Sequence, residues 1–264
     1  MTAAKVFRYE LQDLRRSRWV AGYTLLLLLL TEALLRFGGG GPRAVLSLMN
    51  VVLAVVPLAS IVFGTMYLYG SRDFIELLLA QPVGRSALFA GLYAGLAVPL
   101  AGGFLLGVGL PFLWGGAGAG DSSVAGPLAV LLGAGVLLTL VFTALALLVS
   151  LWCDDRAKGL GLAILLWLAA TALYDAALVL VASGFSDYPL ELPLIGLTFL
   201  NPVDLGRVLL LLQLDTAALM GYTGAVFERF FGSALGAVVT TAALTLWCAG
   251  PLLLAHRLFG RKDF

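Results

Sequence analysis

Between Trp19 and Phe37 the chain reads WVAGYTLLLLLLTEALLRF, nineteen residues in which Glu32 and Arg36 are the only charges. A run of that length, apolar without period-two alternation, crosses the roughly 30 Å hydrocarbon layer of a bilayer as an α-helix and does not fit a barrel strand. Five further runs of the same kind follow, at about 46–69, 88–114, 128–152, 159–182 and 233–257. The expected fold class is an all-α integral membrane protein with six transmembrane helices in one domain, 1–264. Composition agrees, with 12% charged residues against about a quarter in soluble domains. The polar start, MTAAKVFRYELQDLRRSRW, lacks the form of a cleaved signal peptide, so the whole chain is read as mature.

Charge at the ends of the spans sets the orientation. Twelve of the sixteen Lys and Arg fall on one side: Lys5, Arg8, Arg15, Arg16 and Arg18 before the first span, Arg72 and Arg85, Arg156 and Lys158, then Arg257, Arg261 and Lys262. Arg36, Arg43, Arg207 and Arg229 are left for the other side. The positive-inside bias places both termini in the cytoplasm. Glu32 and Arg36 are four apart in the favourable order for a helical ion pair.

Three segments outside the spans have structure of their own. Residues 1–18 carry Val6, Phe7, Leu11 and Leu14 opposite Lys5, Arg8, Gln12, Arg15 and Arg16, an amphipathic helix on the inner leaflet or a topogenic basic tail. Residues 71–82, SRDFIELLLAQP, form a short cytoplasmic helix capped by Ser71, with Asp73 and Glu76 near its positive end and Pro82 as its stop. Asp73, Glu76 and Ala80 share one side. The segment suits either a helix seated in another protein's groove or a connector touching lipid. The outer connection, 183–232, holds LNPVDLGRVLLLLQLD. There Asn201 is an N-cap, Pro202 the first helical residue and Asp204 the third. Asp215 offers a second cap, so two short helices are expected at, or dipping into, the outer interface.

Several functions are excluded or weakened. A net charge of +1 argues against a nucleic-acid partner. No G-x-x-x-x-G-K-[ST] loop occurs, and Lys5, Lys158 and Lys262 stand in other contexts, so ATP chemistry belongs to another chain. No metal site is expected: His256 is the single histidine, and Met49 and Met66 lie about 25 Å apart along one helix. The intramembrane protease sets, paired aspartates, Ser with His, or H-E-x-x-H, are missing, so this chain is not expected to be an enzyme. Asp175, beside Tyr174 in TALYDAALV, is the charge deepest in a span. It reads as part of a polar pathway or dimer interface, or as a carboxyl paired structurally. The glycine pairs Gly91 with Gly95, Gly103 with Gly107 and Gly232 with Gly236 indicate close helix packing. Pro57, Pro99 and Pro111 are expected to kink their spans.

The order of an amphipathic start, two spans, a short helix ending ELLLAQPVGRSALFAG, four more spans and an outer loop before the last resembles a type-2 ABC transporter permease. A narrower likeness, in LNPVDLGRVLLLLQLDTAALMGYTGAVFERFFG, LLWLAATALYDAALVLV and the terminal RKDF, is to NosY-type permeases of nitrous-oxide reductase maturation. The resemblance implies that residues 71–82 are the coupling helix seating on a separate ATPase. Ser71, Arg72, Asp73, Phe74, Glu76 and Leu79 would belong to that contact, with Pro82 and Arg85 shaping the exit into the third span. The family's Glu-Gly-Thr ahead of the Leu-rich stretch is absent from SRDFIELLL. It further implies a homodimer in the bacterial inner membrane carrying two cytoplasmic ABC ATPase subunits, with ATP and Mg on those partners and no cofactor on this chain. A periplasmic copper-handling protein would dock on Asn201, Pro202, Asp204, Arg207 and Tyr222. A non-transporting membrane scaffold and a secondary transporter are the alternatives, the latter weakened by the few ionisable groups within spans.

Overall fold

The computed structural model describes residues 18–38, 41–81, 84–114, 122–184, 191–213 and 234–262. Among them every regular element is helical: α1 (Arg18–Phe37), α2 (Gly41–Gly70), α3 (Arg72–Leu79), α4 (Arg85–Trp114), α5 (Ser122–Trp152), α6 (Arg156–Leu168), a π-turn (Ala169–Leu173), α7 (Tyr174–Gly184), α8 (Glu191–Thr198), α9 (Pro202–Gln213) and α10 (Ala234–Arg261). Six helices, with α6 to α7 counted as one, are long and apolar enough to cross a membrane. Only helices and closed barrels satisfy every backbone group inside lipid, so such apolar runs have one practical outcome. The helices exceed the expected spans at their ends, since α2 begins at Gly41 and α10 continues to Arg261. They also run through Pro57, Pro99 and Pro111 without a break.

α5 is the axis of the bundle, packing along α2 and α10 and also touching α4, α9 and α6. Its Leu131, Leu138, Val141 and Phe142 are buried, as are Val52, Val56 and Ile61 of α2 and Leu100, Phe104 and Val108 of α4. By contrast α1, α6 with α7, and α10 keep most of their surface outward. Outward Leu25, Leu165, Leu180 and Leu246 carry no hydrophobic cost when the surroundings are acyl chains. α1 lies on α4 at the predicted small-residue pair, where a Cβ on Gly107 would stand 2.8 Å from the Leu27 Cβ and from the Thr24 carbonyl oxygen. That distance is below any ordinary carbon contact, so glycine sets the approach of the two backbones. The predicted Glu32–Arg36 pair forms at 2.6 Å, and the Trp114 indole N–H donates to the other Glu32 oxygen at 3.2 Å.

A second, smaller core closes one end of the bundle. Leu68, Ile75, Leu78, Leu88, Phe89, Leu92, Leu147, Leu151, Ala255 and Phe259 form it, drawing on α2, α3, α4, α5 and α10.

Candidate functional site

α3 owes its place to its own periodicity. Ile75 and Leu78, three apart, point into the small core and are buried, while Phe74 and Leu79 are half-buried against it. Asp73, Glu76, Leu77 and Ala80 form the opposite, exposed side, and Leu77 is 61% exposed despite being aliphatic. The helix start differs from expectation. Ser71 makes no side-chain cap, and its backbone sits at φ −99°, ψ 6°, outside the extended region from which a serine hydroxyl reaches the second or third N–H. Its own N–H still donates to the Tyr67 carbonyl at 2.9 Å. α2 therefore runs on into α3 through a kink rather than ending before a fresh start.

Arg72 ties the start of α3 to the C-terminus of α5, and two further cations tie the C-terminus of α10 to α5 and to the start of α4. Arg72 lies over the Tyr69 ring at 4.6 Å and donates to the carbonyls of Asp154 at 2.9 Å, Cys153 at 3.3 Å and Ser150 at 3.4 Å. The Tyr69 hydroxyl donates to the same Cys153 carbonyl at 2.7 Å. Lys262 Nζ, just past α10, donates to the Leu151 carbonyl and to Asp154 Oδ1, both at 2.7 Å. Arg85, the first residue of α4, donates to the carbonyls of Gly260 at 3.1 Å and Lys262 at 2.9 Å. The last carbonyls of a helix lack intrahelical donors and lie at its negative end, so cations settle there. Gly159 lies so close beneath Tyr69 that any side chain there would collide with the phenol hydroxyl. The hydrogen bond and charge of Lys262 hold the Asp154 carboxyl below the usual range. The Lys158 and Ala157 N–H groups do the same for Asp155, which caps α6.

Farther along the bundle a second polar group joins the π-turn, α7 and α9. Asn201 caps α9 as its spacing predicted, its Oδ1 accepting from the Val203 N–H at 3.0 Å. Its amide then donates to the Ala170 carbonyl at 2.7 Å and to Asp204 Oδ2 at 3.0 Å. Ala170 lies in the π-turn, where the wider register leaves a carbonyl free for an outside donor. Arg207 Nη1 bridges Asp175 Oδ1 and Asp204 Oδ1, each at 2.9 Å, and the Tyr174 hydroxyl donates to the Leu197 carbonyl. Of the two carboxylates Asp204 is buried and Asp175 about one-third exposed. α9 does not rest on the surface: Gly206 is packed between Leu138 of α5 and Leu53 of α2. Leu138 stands fourteen residues before the Trp152 end of α5, about 21 Å from that end at 1.5 Å per residue.

Residues 4–264 match the family described as ABC-2 family transporter protein. The chain belongs to that family. A protein of Pseudomonas aeruginosa described as "Probable ABC transporter permease protein NosY" is 32% identical to it over 273 residues, covering 97% of each chain. A protein of the same description from Stutzerimonas stutzeri is 27% identical over 289 residues, again covering 97% of each. The chain is thus an ABC transporter permease subunit and a multi-pass membrane protein.

In this ABC-2 permease the predicted coupling residues separate into two groups. Asp73 and Glu76 are presented outward; Arg72 and Arg85 are spent on carbonyls of their own chain, and Phe74 and Leu79 lean inward. Pro82 lies outside the described residues, as does the amphipathic segment 1–17. Leu77, Tyr69, Asp154 and Lys262 were missed. Leu77 could have been found from its helical spacing to Asp73 and Ala80, but the others meet only through contacts 82 to 111 residues apart. Of the residues expected to form a docking surface, Asn201, Pro202 and Asp204 are buried and Arg207 turns toward Asp175, so these side chains hold α9 in the bundle. Tyr222 and the helix expected after Asp215 lie outside the described residues. Asp175 and Tyr174 have the structural pairing that one sequence reading allowed. Among the described residues there is no group of three or more His, Cys, Asp and Glu placed to hold a metal ion.

Proposed function

We propose that this permease passes the motion of a separate cytoplasmic ATPase into the membrane through α3. The carrying observation is the two-sidedness of that helix. Its inner side is sealed into the small core and clamped at its start by Arg72, and its outer side offers Asp73, Glu76 and an exposed Leu77 to a partner. An apolar anchor flanked by acidic groups is the chemistry of a helix seated in a groove. Because Arg72 grips the end of α5 and Lys262 joins that end to α10, a push on α3 moves the axis of the bundle and the last span together.

On this reading two copies of the chain and two ATPase subunits form the transporter in the inner membrane, with both termini cytoplasmic and ATP and Mg bound by the ATPases. The relatives' description as NosY permeases, with the likeness of the LNPVDLGRVLLLLQLD stretch, supports a role in maturation of the copper-sulfur centre of nitrous-oxide reductase, with a periplasmic copper-handling protein on the far side. Substrate movement and force transmission both use the same route through α3.

Charge reversal tests the reading. Asp73→Lys with Glu76→Lys, and separately Leu77→Asp, should abolish co-purification of an ATPase from native membranes while the permease itself keeps its helical content. An ATPase recovered in wild-type yield with both variants overturns it.

A further inference from the structure

α1 leans on α4 and touches α2 only sparingly, which leaves a wedge between α1 and α2 open to the side. The wedge is a cavity of about 800 Å³ walled by Gly22, Leu26, Leu58, Ala59 and Val62, within the roughly 300–1,000 Å³ range of small-molecule sites. At one end the rings of Trp19 and Phe63 stand 6.2 Å apart. Beyond them a second cavity of about 240 Å³ shares both rings and reaches Arg156. Arg18 lines the first cavity, so the two adjoin at the Trp19 and Phe63 rings as a groove with an aliphatic wall, with Arg18 on the lining of one cavity and Arg156 on that of the other. Both arginines are exposed, and neither makes an ion pair among the described residues.

We infer that this groove is a binding site for an anionic phospholipid of the leaflet at the Arg18 end. Its acyl chain lies along α1 and α2, and its phosphate sits between Arg18 and Arg156. Three features select that occupant. From Arg18 to Leu26 the groove wall runs eight residues, about 12 Å, which fits the roughly 15 Å depth of one leaflet. Trp19, 69% exposed, stands at the level where amphipathic rings meet head groups. A guanidinium pair matches a phosphate diester, and basic pockets between spans on the cytoplasmic side take anionic head groups. A second copy of the chain fits less well. A two-fold axis along the membrane normal brings the partner's arginines to the same depth, so like charges would meet at that end.

The inference is independent of ATPase coupling. The test is native mass spectrometry of the full chain in detergent, titrated with phosphatidylglycerol or phosphatidylcholine of identical acyl chains, with inorganic phosphate as a free competitor. At about five- to sixfold per arginine, phosphatidylglycerol should bind about thirtyfold tighter, and inorganic phosphate should not displace it. Arg18→Gln with Arg156→Gln should erase the preference, and the corresponding Lys pair should keep most of it. Ala59→Trp, which fills the groove, should weaken both lipids. Equal binding of the two lipids by the wild type overturns the inference. So does a preference that survives the Gln pair, displacement by free phosphate, or an Ala59→Trp chain that binds as before. Disulfide formation between two copies at Leu58→Cys in native membranes would show a second copy in the groove and overturn it as well.

Discussion

Arg207 serves two carboxylates with one guanidinium, and its removal leaves Asp204 buried beside Asp175 with no counter-charge. Breaking a buried pair costs about 3–5 kcal/mol, and the partial exposure of Arg207 and Asp175 brings the expectation for Arg207→Met down to roughly 2–3 kcal/mol. Combining it with Asp204→Asn should return part of that loss, since the two effects share one interaction. Thermal unfolding of the wild type and both variants in detergent checks both statements. At the other end of the bundle, Gly159→Ala drives a methyl into the Tyr69 hydroxyl. Overpacking of this kind costs about 1–3 kcal/mol, and the phenol must leave the Cys153 carbonyl to make room. The expected outcome is a lower unfolding midpoint that Tyr69→Phe largely restores. Asn201 was legible in the sequence because its cap partner lies two residues away. Arg207 was visible only as a charge, because Asp175 comes from a helix 32 residues distant.

At the scale of elements, the π-turn and α9 depend on each other. The turn frees the Ala170 carbonyl for Asn201, and it sets the rotation of α7 that presents Asp175 to Arg207. Deleting Ala172 should convert the turn to α-helix and return the Ala170 carbonyl to the helix's own ladder, leaving the Asn201 amide without that acceptor. The expected result is a destabilisation of about 1–3 kcal/mol, read by loss of helical signal on heating; an unchanged midpoint would show that the turn is incidental. The existence of α9 was readable from Asn201, Pro202 and Asp204, since caps are local chemistry. Its depth was not. A helix of twelve residues with Leu and Val on several faces fits an interface and a bundle interior equally well, and the choice falls to Gly206, which lets α9 lie against Leu53 and Leu138.

For the whole molecule, the clamp at the α3 end sets how the protein answers pH. Asp154 and Asp155 titrate below their usual value in the folded protein. Depressed carboxylates contribute stability that is complete above the unfolded value of about 3.9 and is lost as pH falls through the folded value. These two carboxylates should therefore leave the unfolding midpoint unchanged from neutral pH to about pH 5 and lower it below about pH 4. That acid-side fall should be shallower in Lys262→Met, which already lacks the principal partner of Asp154. Thermal scans of both proteins across that interval check the sign.

What the sequence determined by itself is the set of membrane helices, their order and the amphipathic rod at Arg72–Leu79, because hydropathy and helical period are properties of neighbouring residues. The tertiary structure alone decided that Arg72 ties that rod to α5, that Arg85 and Lys262 join α4, α5 and α10 beside it, and that α9 turns inward onto Asp175 and a π-turn. The physical reason is reach. An unpaired carbonyl at a helix end or in a π-turn accepts a hydrogen bond from any donor that arrives, and only the packing of distant helices determines which one does.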